Sequence, residues 1–348
     1  MERDNKMTAA DSAVHKPGRA VSMADVAKLA GVSRQTVSRV VNGRACVVEE
    51  TRKRVMDAMD QLGFYPSFAG RSLRGGKYGC IGLCMFDITH TGNVATLEGL
   101  MSAAREYGYA VTLIEFDESE SVRLRDTARR LAELPVDGMV FNTNRTIEDF
   151  DEFEPLNGLP TIIISMKEHP CCTTIDSDQY GCSQLVVDHL RSRGHTQIRH
   201  LAGPKDSITA DFRTRGWRDS LERAGLEVVE PLHGDWTADS GYELGEKLVQ
   251  DAEMTALYAA NDQMAMGAIM ALRAHGRRVP EDVSVIGVDD SMQGMVPHND
   301  LTTVRFDMRE RGRKTFDYFF AQLSGESKVE TVRLPGELVE RGTVADRI

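Results

Sequence analysis

From Tyr78 onward, strand-sized apolar runs alternate with longer amphipathic segments, and this alternation constrains the fold more than any other feature. Seven runs have the length and apolar content of buried strands: Cys80–Met85, Ala110–Glu115, Gly138–Phe141, Thr161–Ser165, Ile198–Ala202, Ala256–Ala260 and Val283–Val288. The segments between them with helical spacing include Ala95–Tyr107, Val122–Leu134, Tyr180–Arg193, Thr214–Ala224, Gly241–Gln250 and Gln263–Ala274. Repeated β–α alternation predicts an α/β fold with doubly wound parallel sheets, covered by helices on both faces.

The number of strands suits two sheets better than one. We place the break between them near Cys171–Asp176 and assign residues 78–348 to a body with two lobes. In sheets of this kind, ligands bind beyond the carboxyl ends of the strands. The cleft between the lobes is therefore the expected binding pocket.

Residues 21–63 predict three short helices ahead of the body. Ser22, with Asp25 three residues later, has the spacing of a capping box at the start of the first helix. Ser33 follows a glycine turn and is a second N-cap, and a third helix begins near Glu49. Two helices joined by a short turn and braced by a third predict an all-α helix-turn-helix head.

The charge distribution indicates what kind of partner the head binds. Arg19 to Lys77 contains eleven Lys and Arg but five Asp and Glu, whereas the whole chain carries a net charge of −11. A basic head on an acidic body indicates a polyanion partner for the head alone. Arg34, Gln35 and Arg39 fall on the exposed side of the second helix, and such side chains read guanine and adenine edges in the major groove. The alternative is an ordinary solvated helix face.

The remaining features narrow the class of protein. Residues 1–20 are expected to be a disordered leader without the apolar core of a signal peptide, and residues 64–77 a hinge linker. No apolar run reaches the roughly 18 residues of a membrane helix, so a cytoplasmic protein without a membrane partner is expected. The six cysteines lack zinc-site spacing and are expected to be free thiols. We expect no metal and no cofactor.

Several motifs in a fixed order resemble the lac-repressor (LacI/GalR) family of bacterial transcription regulators over about residues 21–345. The motifs are Met23–Asn42, Gly194-His195, Leu201–Pro204, Phe212–Trp217, Ala260–Gly267, Gly287–Asp290 and Leu301–Val304. Gly234-Asp235-Trp236 brings the resemblance toward the lac-repressor branch of the family. The resemblance implies a homodimer whose two-lobed bodies are similar to periplasmic binding proteins.

The resemblance also implies how the head meets double-stranded, pseudo-palindromic operator DNA. Arg34, Gln35 and Arg39 would contact bases, and Leu73 of the linker would wedge into the minor groove, a use for which leucine is suited. The residues that would contact phosphates or cap helices are Ser22, Ser33, Thr36, Ser38 and Asn42.

In the cleft, four residues match family positions that contact the effector: Arg213, Trp236, Asn261 and Asp289. Their chemistry suits a saccharide, because amides and charged groups bind hydroxyls and an indole covers an apolar sugar face. For Trp236 a place in the core remains open, and for Asn261 a helix cap. Further cleft candidates are Phe86, Asp87, Asp176 and Phe306, and Ser165 stands where a carboxylate is frequent in the family.

The predicted function is a repressor of sugar-utilisation genes that a small saccharide releases from its operator. A β-galactoside is the leading guess, and another sugar, a sugar phosphate or a nucleoside are the alternatives. An α/β sugar-active enzyme is the remote alternative, because the chain contains no P-loop, G-x-S-x-G or H-E-x-x-H motif. We therefore expect no catalytic residues.

Overall fold

The computed structural model describes residues 21–41, 46–65, 77–116, 122–156, 158–326 and 328–347. The chain divides into two compact units, and the division falls between Tyr78 and Gly79. Across the described part of the chain, no helix has both the length and the apolar composition needed to cross a membrane. The predicted wedge residue Leu73, most of the linker and Asn42 lie outside the described residues.

The first unit contains the predicted head. Its described residues form three helices, α1 (Met23–Ala30), α2 (Arg34–Val41) and α3 (Glu49–Leu62). The predicted caps are confirmed: the Asp25 carboxylate accepts hydrogen bonds from the backbone and hydroxyl of Ser22, and Ser33 Oγ accepts one from the backbone of Thr36. The valines of α2 lie on the side opposite its exposed residues and pack against Val26 and Val55 in one apolar cluster.

The second unit contains two six-stranded sheets, each with helices on both sides. The first lobe consists of β1 (Cys80–Met85), α4 (Thr91–Glu106), β2 (Ala110–Glu115), α5 (Leu124–Ala132), β3 (Met139–Asn142), β4 (Thr161–Ile164), β5 (Thr173–Ser177), α10 (Met308–Leu323) and β11 (Thr331–Leu334). The second lobe consists of α6 (Gln179–Ser192), β6 (Ile198–Ala202), α7 (Ile208–Arg223), β7 (Leu232–His233), α8 (Ala238–Leu248), β8 (Ala256–Ala259), α9 (Asp262–Ala274), β9 (Ser284–Val288), β10 (Thr302–Arg305) and β12 (Glu337–Val339). The first sheet has the strand order β11-β5-β4-β3-β1-β2 and the second β12-β10-β9-β8-β6-β7.

The predicted break between the lobes was wrong in position. Residues 173–177 form β5, which pairs in parallel with β4, so the chain leaves the first lobe only after Ser177. Sequence alone did not indicate this strand, because its threonines and Asp176 make it less apolar than its neighbours. The chain returns to the first lobe with α10 and β11 and then adds β12 to the second sheet. Three crossings therefore join the lobes, and residues at the first two, Gln179 and Met308, line the cleft.

A close approach of two helices places α10 in the first lobe. A side chain at Gly312 would meet the backbone of Thr96 in α4, and one at Gly99 would meet the backbone of Arg309. The two glycines therefore allow α4 and α10 to pack backbone against backbone. As a result, the first turn of α10 reaches the cleft.

Candidate functional site

A cavity of about 350 Å³ lies between the two lobes, at the carboxyl ends of their strands. Both lobes contribute to its lining. The first lobe contributes residues after β1, residues at and after the end of β3, Asp176 in β5, and Met308 and Arg311 of α10. The second contributes residues from α6 and α7 and from the segments after β7, β8 and β9. The predicted position of the pocket at this edge of the sheets agrees with the cavity. Four of the predicted cleft residues line it together with Asp176: Arg213, Trp236, Asn261 and Asp289.

Arg213 is the centre of the second-lobe wall. Its side chain is buried and donates through Nε to Gln179 Oε1 (2.8 Å), through Nη1 to the carbonyl of Ala260, and through Nη2 to Asp289 Oδ1 (3.1 Å). Burial is the largest single influence on Arg213 and acts to lower its pKa, but the charge interactions, that with Asp289 first among them, and the hydrogen bond to Asp289 together outweigh it. The pKa is therefore raised and the guanidinium stays charged. The guanidinium holds one carboxylate oxygen of Asp289 and leaves the second oxygen without a hydrogen bond from the described residues.

Trp236 is the aromatic part of this wall, and Asn261 holds its backbone in place. Trp236 has a positive φ of 74°, and its carbonyl accepts a hydrogen bond from Asn261 Nδ2 (2.9 Å). The indole lies over Gly203, where a Cβ atom would collide with the ring. Asn261 Oδ1 accepts from the backbone of Met264 (2.9 Å) and caps α9. The cap that the sequence left open is therefore present, and it also fixes the tryptophan at the cavity.

An ion pair that sequence analysis only half anticipated lies in the first-lobe wall. Arg311 of α10 donates through Nη1 to Asp176 Oδ1 (2.6 Å), and its Nε and Nη2 donate to Thr96 Oγ1 (3.2 and 2.7 Å). Both charged side chains are at least nine-tenths buried and line the cavity. Oδ2 of Asp176 accepts no hydrogen bond from the residues that the structure describes.

Two asparagines complete the first-lobe wall. Asn142 Nδ2 donates to Asn93 Oδ1 (3.0 Å), and Asn93 Nδ2 donates to the carbonyls of Phe86 and Asp87 (3.0 Å each). These bonds orient both amides, which line the cavity beside Thr143. The wall thus presents fixed polar groups to a ligand.

Three other predicted cleft residues do not line the cavity. Phe86 stacks on Phe116 at 4.3 Å between ring centroids, and Phe306 is buried with its ring 5.9 Å from the Arg213 guanidinium carbon. Burying these apolar rings in the cores is favourable, so neither ring faces the cavity. Phe306 instead contacts the site through the guanidinium of Arg213. Asp87 forms a salt bridge with Arg145 instead (3.0 Å).

Ser165 does not line the cavity either. It is buried, and its hydroxyl accepts a hydrogen bond from the backbone of Lys167 (3.2 Å).

The two lobes also touch at the edge of the cavity through their backbones. The amide of Ile208 donates to the carbonyl of Asn144 (2.9 Å), and that of Thr146 donates to the carbonyl of Asp206 (3.3 Å). These bonds join the loop after β3 to the start of α7. Since Asn144 also lines the cavity, a ligand there contacts a segment that bridges the lobes.

In the head, the predicted base-reading residues Arg34, Gln35 and Arg39 are exposed on α2. Ser33 is also exposed and Thr36 is half-buried, and their hydroxyls hydrogen-bond each other (2.9 Å) at the start of α2. Ser38 differs from the prediction, because it packs among the buried residues of the head at 8% exposure and offers little surface to a phosphate. The geometry therefore leaves three side chains suited to bases on one helix face.

Sequence reasoning missed Arg311, Gln179 and the two asparagines of the first lobe. Arg311 lies in the run Met308–Lys314, which is rich in charge and resembles a solvated surface. A signal was present: Asp307 with Glu310 has the capping-box spacing, and phenylalanines follow at helical intervals. That signal predicts a helix, but not that the helix crosses back to the first lobe.

Comparisons with known proteins agree with this architecture. Residues 22–67 match the family described as bacterial regulatory proteins of the lacI family, and residues 187–344 match a periplasmic binding protein-like domain. The lactose operon repressor of Escherichia coli (strain K12) is 31% identical over 93% of this chain and 90% of its own length. The transcriptional repressor PurR of Vibrio cholerae (strain M66-2) is 32% identical over 92% of this chain and 97% of its own.

Solved structures are similar as well. A crystal structure of the lac repressor dimer bound to operator and the anti-inducer ONPF has a TM-score of 0.83 at 29% identity, covering 94% of this chain and all of its own. A complex of the transcriptional regulator CelR with cellobiose has a TM-score of 0.68 at 28% identity, covering 93% of this chain and all of its own.

A helix-turn-helix head on a two-lobed body with a polar cleft defines a DNA-binding transcriptional repressor with an effector-binding domain. The chain belongs to the lacI family of bacterial regulatory proteins. Its curated relatives are transcriptional repressors and not enzymes.

Proposed function

We propose that this protein is a cytoplasmic, homodimeric repressor that a neutral saccharide releases from its operator by binding in the cleft. The observation that carries the proposal is the pairing of charges in the cavity. Arg213 is bound to Asp289 and Arg311 to Asp176, so neither cation is left over for an anionic ligand. Carboxylate, amide and hydroxyl groups bind the hydroxyls of a sugar, and one indole can cover its apolar face.

This pairing argues against sugar phosphates. A phosphate is bound most strongly by several cations or by an arginine fork that is free to accept it. In the described cavity each guanidinium already binds a carboxylate, and Asp235 adds a further acid. The balance of charge therefore favours an uncharged polyol.

A β-galactoside is our leading candidate, and purines are the main competitor. Among the relatives, a lac repressor structure contains ONPG and the CelR structure contains cellobiose, whereas others are PurR proteins. Of the residues that line the described cavity, Trp236 and His90 carry aromatic rings. A single indole against a largely polar wall supports one sugar ring better than a flat base that needs stacking.

The head is proposed to read the operator through α2. Replacing Arg39 or Gln35 with alanine should weaken binding to the operator by about 1–3 kcal/mol, because each side chain would lose a bidentate contact to a base. Binding to random DNA should change little. Fluorescence anisotropy with both DNAs measures the difference. Equal losses on the two DNAs would show that these residues touch only phosphate.

We expect the protein to be a dimer in solution with one head on each half-site of a pseudo-palindromic operator. The similar lac repressor structure is a dimer on its operator. Sedimentation equilibrium at micromolar concentration should give twice the mass of 38.6 kDa. A monomer or a tetramer would contradict this expectation.

The experiment that tests the effector class is a ligand screen on the full chain. Neutral mono- and disaccharides, sugar phosphates, nucleosides and purine bases are compared by thermal shift and calorimetry. Each binder is then added to the protein on an operator that the protein itself has selected from a random DNA pool. We expect neutral sugars to bind and to reduce operator affinity about 5- to 150-fold, the usual range of allosteric coupling. If only phosphorylated sugars or purines bind, the proposed effector is wrong.

A further inference from the structure

The ion pair of the first lobe is buried, and its burial costs free energy that a purely structural role does not explain. Asp176 and Arg311 are 9% and 7% exposed at the side chain, and their nearest atoms are 2.6 Å apart. Removing two charges from water is expensive, and apolar residues of similar volume often replace such pairs with no loss of stability. Both residues line the cavity, so the pair is placed where a ligand would use it.

The same arrangement occurs in the second lobe. There Arg213 holds Asp289 at 3.1 Å, and in each pair the described residues hydrogen-bond only one carboxylate oxygen. The second oxygen of each carboxylate is therefore an acceptor already oriented by its arginine. Each lobe thus presents one charged acceptor with neighbouring guanidinium donors, which is a set of groups that suits adjacent hydroxyls.

The surroundings of the first-lobe pair are also polar. Asn93, Asn142 and Thr143 line the cavity beside it, and Met308 is the only large apolar side chain that the described first lobe adds to this lining. An apolar group placed there would cover the second oxygen of Asp176 without giving it a hydrogen bond, which costs free energy. A hydroxylated group would satisfy them.

We propose that Asp176 and Arg311 form a second hydroxyl-binding subsite, so that the effector carries free hydroxyls at its first-lobe end. This inference rests on the proposed saccharide function and makes it more specific. An effector of this kind is an unsubstituted sugar, with a disaccharide spanning both lobes as the expected form. A glycoside with an alkyl or aryl group directed into the first lobe binds poorly.

The test compares pairs of ligands. The two members of a pair share one sugar, and the group linked to that sugar is a second sugar in one member and a nitrophenyl ring in the other. Lactose and o-nitrophenyl β-galactoside form one such couple, and cellobiose and p-nitrophenyl β-glucoside form another. Calorimetry on the full chain measures both members of each couple. Wild type should bind the sugar of at least one couple at least about tenfold more tightly than its nitrophenyl partner, since a site built for hydroxyls rejects an analogue without them.

The variant for this test replaces the pair with apolar residues, Asp176→Leu together with Arg311→Met, which avoids an unpaired buried charge. It should reduce or reverse the preference for the sugar over its nitrophenyl partner. The matched control is Glu106→Leu with Arg313→Met. It removes an exposed ion pair between α4 and α10, with a nitrogen–oxygen distance of 3.0 Å, and neither residue lines the cavity. The control should keep the wild-type preference. Cooperative thermal unfolding checks that each variant is folded, and Arg311→Lys is the milder replacement if the double variant is not.

The outcomes separate the two proposals. If a saccharide binds but its nitrophenyl partner binds equally well, or if the apolar pair leaves the preference unchanged, the first-lobe subsite is wrong and the saccharide function stands. If no saccharide binds to wild type, the proposed function fails and the subsite fails with it.

Discussion

Replacing Asp289 with glycine is expected to leave the protein on its operator at effector concentrations that release the wild type. The carboxylate of Asp289 is half of the second-lobe pair and has one oxygen free for a ligand. Truncating a buried charged hydrogen-bonding group costs about 2–5 kcal/mol, so effector binding should weaken at least about 30-fold. Operator binding should persist, because Asp289 lies in the body and not in the head.

The choice of glycine follows from the backbone. Asp289 has a φ of 101°, a conformation that glycine adopts freely and alanine does not. The loss leaves Arg213 without its carboxylate, so Asp289→Asn is the second variant, because its amide oxygen can still accept from the guanidinium. The matched control is His298→Gly, an exposed residue at φ 53° that does not line the cavity.

Operator release is measured by anisotropy as effector is titrated onto the complex, and effector affinity by calorimetry. Thermal unfolding shows whether each variant is folded. If Asp289→Gly and Asp289→Asn both release the operator at the wild-type effector concentration, the cleft described above is not the effector site.

Asp262 is expected to make the stability of the body depend on pH. Its side chain is fully buried at the start of α9, where it accepts hydrogen bonds from Thr303 Oγ1 (2.6 Å) and from the backbone of Ser291 (2.7 Å). Burial raises its pKa from 3.8 to about 7, and the charges of Asp289 and Asp290 act in the same direction. The hydrogen bonds oppose the shift but do not cancel it.

The sign follows from proton binding. Because the folded-state pKa lies above the unfolded value, the native state binds the proton more tightly between pH 4 and pH 7. Its contribution therefore favours folding at low pH and is lost as the pH rises through about 7. One pKa unit corresponds to about 1.4 kcal/mol, and the positive end of α9 offsets part of the total, so we expect a loss of about 2–4 kcal/mol.

The measurement is chemical denaturation of wild type and Asp262→Asn from pH 4 to pH 8. The free energy of unfolding of wild type, minus that of the variant, should fall over this range by the amount given above. Asp239→Asn is the control, since Asp239 also lies in the first turn of a helix but is exposed. A difference between wild type and Asp262→Asn that is constant with pH would mean that Asp262 is ionised throughout.

Local sequence patterns were sufficient for the head. Ser22, Asp25 and Ser33 are caps whose hydrogen bonds span three residues, and Gly31 ends α1 with the left-handed φ of 64° that favours glycine. Short-range interactions of this kind depend only on which residues stand three or four positions apart, so they can be predicted from the sequence. For the same reason, the exposed face of α2 followed from helical spacing alone.

Sequence alone also determined most of the body's strands and helices, because most of the buried strands are continuous apolar runs. Its carboxyl-end residues Asn261 and Asp289 follow such runs, but they were recognised because they match family positions that contact the effector. Asn261 shows where a prediction was incomplete, since its amide both caps α9 and holds the carbonyl of Trp236. Local spacing indicates that the Asn261 side-chain oxygen caps a helix. Only the fold brings the distant carbonyl of Trp236 to the side-chain nitrogen of the same amide.

Tertiary structure alone decided which lobe each late segment joins. Asp176 and Arg311 are 135 residues apart, and they meet because α10 crosses back from the second sheet and packs against α4. In one dimension Arg311 is one charge among several in an exposed-looking run. Its burial depends on the close contact of two helices that glycines allow at Gly99 and Gly312. Such a contact is a property of two surfaces brought together, and no pattern within either segment specifies its partner.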